Sequence, residues 1–250
     1  MFVRRWLVAA SLANYGVIGG VTTVKGELAV VPHELGIKYM RDSEEYAVLA
    51  RQVYRLAAEA VTSAAKRVGR AWCVVVDVDE TALDNSQYEL ELVAYGLPFD
   101  PPSWEAWVQR REAGVVPGAT DFVATVRRAG GRIAWISNRD TTTTHATRAN
   151  LARVGLWNDD DRLCLQDGAK RSKAIRRAEV MAGQGACGWT GLPMAILAFV
   201  GDHMGDFPEP SEQIPNTGSD AAFGKTCFLL PNSMYGDWTT RVTRFSPQTR

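Results

Sequence analysis

Cys73-Val74-Val75-Val76-Asp77-Val78-Asp79-Glu80-Thr81 decides how the rest of the chain is read. Valines running into two acids one residue apart read as a buried strand whose C-terminal tip carries carboxylates. Open α/β sheets bind ligands at such tips. Carboxylates gathered there serve as hard-cation ligands or as nucleophiles. A calcium loop starting at Asp77 would need glycine at its sixth position and glutamate at its twelfth. Ala82 and Tyr88 stand there instead, so that alternative is set aside.

Working outward, apolar runs at 132–136, 163–165, 195–200 and 227–230 predict further strands. Tyr46, Leu49, Val53, Leu56, Ala57, Ala60 and Ala64 recur at helical spacing and predict one or two amphipathic helices over 36–68. Further helices are expected around 104–111, from Pro117-Gly118 to Gly130-Gly131, from Asp140 to Gly155, and over the basic stretch 170–182. Residues 1–38 are expected to be irregular or processed, and 80–117 to be a polar, aromatic insertion with that one short helix. Strands alternating with helices predict an α/β fold, a Rossmann-like parallel sheet flanked by helices.

The 250 residues fit one domain with an insertion, or one and a half domains. Lys and Arg number 28, as do Asp and Glu, so net charge is zero. No overall field draws the chain to a nucleic acid polymer or an anionic membrane. The four cysteines are widely spaced and form no CxxC pair, which argues against zinc. Cys73, Cys164 and Cys227 sit in or beside apolar runs and read as buried free thiols. Arg4-Arg5 followed by Trp6-Leu7-Val8-Ala9-Ala10-Ser11-Leu12-Ala13 resembles a signal peptide, although Asn14 and Tyr15 interrupt it. Residues 1–35 are therefore read as a signal or irregular segment, and 36–250 as the functional domain. Periplasmic or secreted localisation is expected, with the cytoplasm as the alternative. No run of about 20 apolar residues exists, so no stable membrane insertion is expected. A homodimer is left open.

The strand ends carry a constellation suited to an anionic ligand. The first supplies Asp77 and Asp79, the second Ser137-Asn138-Arg139, and the third Gly201-Asp202 with Asp206 following. Lys173 lies near the start of the basic helix. All strand tips of a parallel sheet point the same way, so these groups converge on a plausible magnesium and phosphate site. Taken alone, the run Lys170, Arg171, Lys173, Arg176, Arg177 would read as a solvated helix face.

These motifs resemble the haloacid dehalogenase (HAD) superfamily in its acid phosphatase branch, subfamily IIIB. Asp77-Val78-Asp79-Glu80-Thr81 with Asp84-Asn85-Ser86 resembles its motif I, Ile136-Ser137-Asn138-Arg139 motif II, Lys173 with Arg176 motif III, and Val200-Gly201-Asp202-His203-Met204-Gly205-Asp206-Phe207 motif IV. Trp104, Trp107-Val108, Pro117-Gly118-Ala119, Phe223-Gly224-Lys225 and Leu230-Pro231-Asn232-Ser233-Met234-Tyr235-Gly236-Asp237-Trp238 narrow the likeness to the class C, lipoprotein-type enzymes. No cysteine lies near the N-terminal apolar segment, so the usual lipid anchor of that type is not expected.

The resemblance implies a magnesium-dependent acid phosphatase acting on small phosphomonoesters, nucleoside monophosphates among them. It implies a small cap formed by 80–117. Asp77 would be the nucleophile that becomes an aspartyl-phosphate, and Asp79 the general acid and base. A general acid carries its proton when substrate binds, so a slightly acidic optimum is expected. Mg2+ would be held by the Asp77 side chain, the Asp79 backbone carbonyl and Asp202. Ser137, Lys173 and backbone amides near Asn138 would hold the phosphate, and Asp206 would position Lys173 or a metal-bound water. Lys173 is preferred over Lys170 on the family's spacing. His203, often Asn in the family, is left between a substrate contact and a mere neighbour. Tyr88, Tyr95, Phe99, Trp104 and Trp107 either pack the insertion, the favoured reading, or stack on a leaving group. A phosphotransferase with the same residues and a catalytically silent phosphate-binding protein are the competing functions.

Overall fold

The computed structural model describes residues 32–168 and 171–240. In chain order its elements begin with α1 (Pro32–Asp42), α2 (Glu44–Ala65), β1 (Trp72–Val76), β2 (Leu83–Asp84), α3 (Ser86–Tyr95), α4 (Pro101–Arg110) and β3 (Gly114–Val115). They continue with α5 (Ala119–Arg128), β4 (Arg132–Asp140), α6 (Thr144–Arg153), β5 (Arg162–Gln166), α7 (Lys173–Ala182), β6 (Ala195–Gly201) and β7 (Cys227–Leu229).

β1 is the middle of a five-stranded sheet ordered β5-β4-β1-β6-β7, and every pairing in it is parallel. The expected α/β architecture is therefore present. From β1 the chain moves outward through β4 and β5, then crosses back to β6 and β7 on the other side. This divergence opens a crevice at the C-terminal end of β1, the place where such sheets bind ligands.

All of β1 is buried, and its period-two alternation divides the core in two. Val74 and Val76 pack with Tyr54 and Val61 of α2 and Phe122 and Val126 of α5. Cys73 and Val75 face the other way, toward Ile136, Cys164 and Val180 of α7. Both faces are covered, which explains why β1 is apolar throughout rather than alternating. Gly118 closes the first layer. Its φ is 94°, and a Cβ there would stand 3.0 Å from the backbone of Arg51. α5 therefore starts hard against α2, which only glycine permits.

Several expectations are corrected. α1 begins at Pro32, and Ile37 and Met40 are buried, so 32–38 is helical rather than irregular. The insertion contains a whole further helix, α3, and a short antiparallel ladder between β2 and β3. β4 continues four residues beyond Ile136, to Asp140. α7 starts at Lys173 rather than near 170, because the Ser172 side chain accepts from the Ile175 N–H and caps it. All four cysteines are buried and free, Cys187 included. The signal-like segment and Lys170 lie outside the described residues. Among the described residues no helix is long and apolar enough to cross a membrane.

Candidate active site

The crevice at the end of β1 opens into a cavity of about 720 Å³. Asp77, Asp79, Ser137, Asn138, Lys173, Asp202 and Asp206 all line it, so the chain brings every sequence-predicted site residue to one place. Asp77 follows β1 directly, and its N–H still donates to the Val200 carbonyl at 3.0 Å, extending the ladder by one residue. Lys173 Nζ donates to Asp77 Oδ1 and to Asp206 Oδ1, the latter at 2.5 Å. Carboxylate oxygens of Asp77, Asp202 and Asp206 lie within 4.8 Å of one another.

Each group is held from behind. Asp202 accepts from Thr81 Oγ1 and from Asn232 Nδ2, both at 2.9 Å. Asp206 Oδ2 caps the His203 N–H at 2.9 Å. A Cβ on Gly201 would meet the Asp206 side chain at 2.3 Å, so this glycine makes room for that carboxylate. Lys173 sits in the first turn of α7, and two buried arginines pin the helix. Arg176 donates to the carbonyls of Ser137 and Cys164 and to Asn138 Oδ1. Arg177 joins Glu212 to the Asp206 carbonyl. Ser137 is fully buried, while Asn138 beside it is exposed.

The electrostatics suit a cation and an anion. One ammonium stands among three carboxyl groups, and burial holds the Asp77 carboxyl well above its usual range. Burial, and after it the neighbouring Asp206, pushes the Asp202 carboxyl up to about 6. Burial opposes the charge on Lys173, but Asp77 and Asp206 outweigh it and hold the ammonium above its usual value. The donor set is all oxygen, which fits a hard cation such as Mg2+ or Ca2+. The Asp79 side chain is not in this cluster. It turns instead to Arg139, which donates to it from Nε and from a terminal nitrogen at 2.7 Å.

The insertion forms one wall. Tyr88 and Trp107 are buried, and Tyr88 packs on Phe99, Trp104 and Trp107 with ring centroids 5.2–6.4 Å apart. Trp104 and Phe99 also border the cavity, together with Leu92, Leu97 and Tyr235. The aromatics thus pack the insertion, the favoured expectation, and two of them also face the cavity. Tyr95, by contrast, is exposed and away from the cavity lining. His203 borders the cavity too, its Nδ1 accepting from the Gly205 N–H and its Nε2 3.0 Å from Asp237 Oδ2.

Sequence reading assigned no task to Arg139, Asn85, Thr81, Asn232 or Arg177, and none to Arg176 beyond motif membership. Burial of charge was the missing signal. Arg139, Arg176 and Arg177 are at most 3 % exposed, whereas a basic run normally faces solvent.

A parallel sheet with a carboxylate at its central tip, a part-buried lysine against it and further carboxylates alongside defines a phosphoryl-transfer enzyme. The chain belongs to the HAD superfamily, subfamily IIIB (Acid phosphatase), whose pattern its residues 16–238 match. It is similar to the class C acid phosphatase from Bacillus anthracis, with 30% identity and a TM-score of 0.70 over 82% of this chain and 86% of that one. A second crystal structure of that enzyme, with tungstate bound, matches to the same extent. The protein is accordingly a phosphomonoester hydrolase.

Proposed function

We propose that the protein is a magnesium-dependent acid phosphatase that hydrolyses small phosphomonoesters, nucleoside monophosphates among them, through an aspartyl-phosphate at Asp77. The observation that carries this reading is the meeting of Asp77, Asp202 and Asp206 within 4.8 Å, with Lys173 bridging Asp77 and Asp206.

In this reading a carboxylate oxygen of Asp77 attacks phosphorus as the ester P–O bond breaks. Asp79 gives its proton to the departing oxygen, then takes one from the water that attacks the aspartyl-phosphate. That second displacement frees phosphate and restores Asp77. Lys173, the Ser137 hydroxyl and backbone amides near Asn138 hold phosphate oxygens as charge shifts onto them. Asp77, Asp202 and the Asp79 carbonyl would hold Mg2+, and Asp206 would position Lys173 or a metal-bound water. Bound there, Mg2+ would offset the repulsion between the Asp77 carboxylate and an anionic phosphate. The insertion 80–117 acts as a cap over the cavity, and its aromatic and aliphatic wall receives the leaving group. Export belongs to the same reading, supported by Arg4-Arg5 and the apolar residues after them.

The test is phosphate release from a panel of phosphomonoesters with Mg2+ and with EDTA, repeated with added alcohol. Metal-dependent release that alcohol leaves unchanged supports the reading. Transfer to the alcohol as the main product would make the protein a phosphotransferase. Tungstate, the oxyanion in the B. anthracis structure, should compete with substrate here.

A further inference from the structure

Asp79 is held unevenly. Its Oδ1 accepts from Arg139 at 2.7 and 3.0 Å and from Asn85 Nδ2 at 2.9 Å. Its Oδ2 has only longer contacts, to Arg139 Nε at 3.2 Å and Ser137 Oγ at 3.4 Å. Arg139 is itself fixed. Its side chain is 1 % exposed, and the nitrogen turned away from Asp79 donates to Thr147 Oγ1 at 3.2 Å. Its guanidinium also lies over the Trp104 ring, 5.5 Å from the centroid. Asn85 takes a further bond from the insertion, since Trp107 Nε1 donates to its Oδ1 at 2.9 Å. Strand alternation explains the placement. In the burial pattern of β4, Ser137 and Arg139 point inward while Asn138 and Asp140 point out.

We infer that Arg139 is the positioning residue for Asp79, locking Oδ1 so that Oδ2 delivers the proton to the leaving oxygen. Asn85 and Trp107 complete the lock and tie the insertion to it. This rests on the proposed role of Asp79 as general acid. Two features favour positioning over simple charge balance. A guanidinium that holds a carboxylate through two of its nitrogens fixes orientation as well as charge. The short contacts converge on one oxygen: Asn85 and the two shortest Arg139 contacts load Oδ1, whereas Oδ2 keeps only those at 3.2 and 3.4 Å.

The test compares leaving groups. An alkyl oxygen must be protonated as it departs, whereas 2,4-dinitrophenolate leaves without a proton. The value of kcat/KM reports the step that breaks the ester bond, so it isolates proton donation from later use of Asp79 as base. The full chain, loaded with Mg2+, would be assayed with ethyl phosphate and with 2,4-dinitrophenyl phosphate. Asp79→Asn should lose on the order of 100-fold or more with ethyl phosphate and far less with the dinitrophenyl ester. Arg139→Lys keeps the charge but not the fork. It should lose roughly 10- to 100-fold with ethyl phosphate, with the dinitrophenyl ester nearly unaffected. Trp107→Phe keeps an aromatic ring at this buried position but removes the bond to Asn85, together with part of the indole's volume. It should show the same selectivity at about threefold, and it decides the matter if Arg139→Lys does not fold. Equal losses on both esters in Arg139→Lys and Trp107→Phe, beside a selective loss in Asp79→Asn, would overturn the inference alone. An unselective Asp79→Asn would overturn the role of Asp79, and the inference with it.

Discussion

Lys173 Nζ donates to Asp206 Oδ1 at 2.5 Å, although the two residues come from different crossovers of the sheet. Asp206 is in turn held by the His203 N–H and fitted against Gly201. The lysine is therefore presented to Asp77 by a carboxylate that is itself fixed, rather than swinging freely from α7. That arrangement keeps a cation at the tip of β1 without the reorganisation a solvated lysine would need.

Lys173→Met should lower kcat on the order of 100- to 1,000-fold, because the phosphate loses a preorganised cation. It should also lower the metal-free unfolding free energy by about 3 kcal/mol, since Asp77 and Asp206 are left buried without it. Steady-state phosphate release and urea unfolding check the two parts separately.

Gly201→Ala should impair activity while leaving β6 intact. The new methyl would stand 2.3 Å from the Asp206 side chain and push it off Lys173. Reduced kcat with a near-normal far-UV circular dichroism spectrum is the expected result.

Metal and pH should be linked through Asp202. Its carboxyl is raised from 3.8 to about 6, burial being the main cause. Between those values the folded state holds a proton that the unfolded chain has released. Stability of the metal-free protein from this group therefore falls as pH rises from about 4 to about 6, and the loss persists above. A bound cation would take over the proton's task. Mg2+ should thus raise the melting temperature more at pH 7.5 than at pH 5, measured by thermal unfolding with Mg2+ and with EDTA. An equal rise at both pH values would go against this.

The sheet was legible because β1 and β6 are apolar on both faces and end in acids, so strand, tip and chemistry share one short stretch. The resemblance to the subfamily IIIB acid phosphatases was legible for the same reason. β4 was read too short because its last residues, Ser137-Asn138-Arg139-Asp140, are polar, and nothing local marks them as paired with β5. α3 escaped notice because its buried face contains Ser86 and Glu89, which break the apolar period. The lock around Asp79 was out of reach for a different reason. Thr147, Asn85 and Trp107 are ordinary residues in sequence, and only the fold brings the first two to Arg139 and the third to Asn85.

Glu80 adds a stability prediction. It is fully buried with φ 52°, and its carboxyl accepts from the Asn85 N–H at 2.7 Å. Burial, and after it Asp79, keeps this carboxyl well above its usual range. Glu80→Gln should therefore be tolerated, within about 1 kcal/mol by urea unfolding, because no buried charge is lost. Glu80→Ala should cost about 2 kcal/mol, leaving the Asn85 N–H without an acceptor.

The central claim is that Asp77 attacks phosphorus. Phosphate release by Asp77→Asn, assayed with Mg2+ beside a thermal unfolding curve, tests it most directly. The account predicts no release above background from a protein that still unfolds cooperatively. Near-wild-type turnover by the folded variant would contradict it.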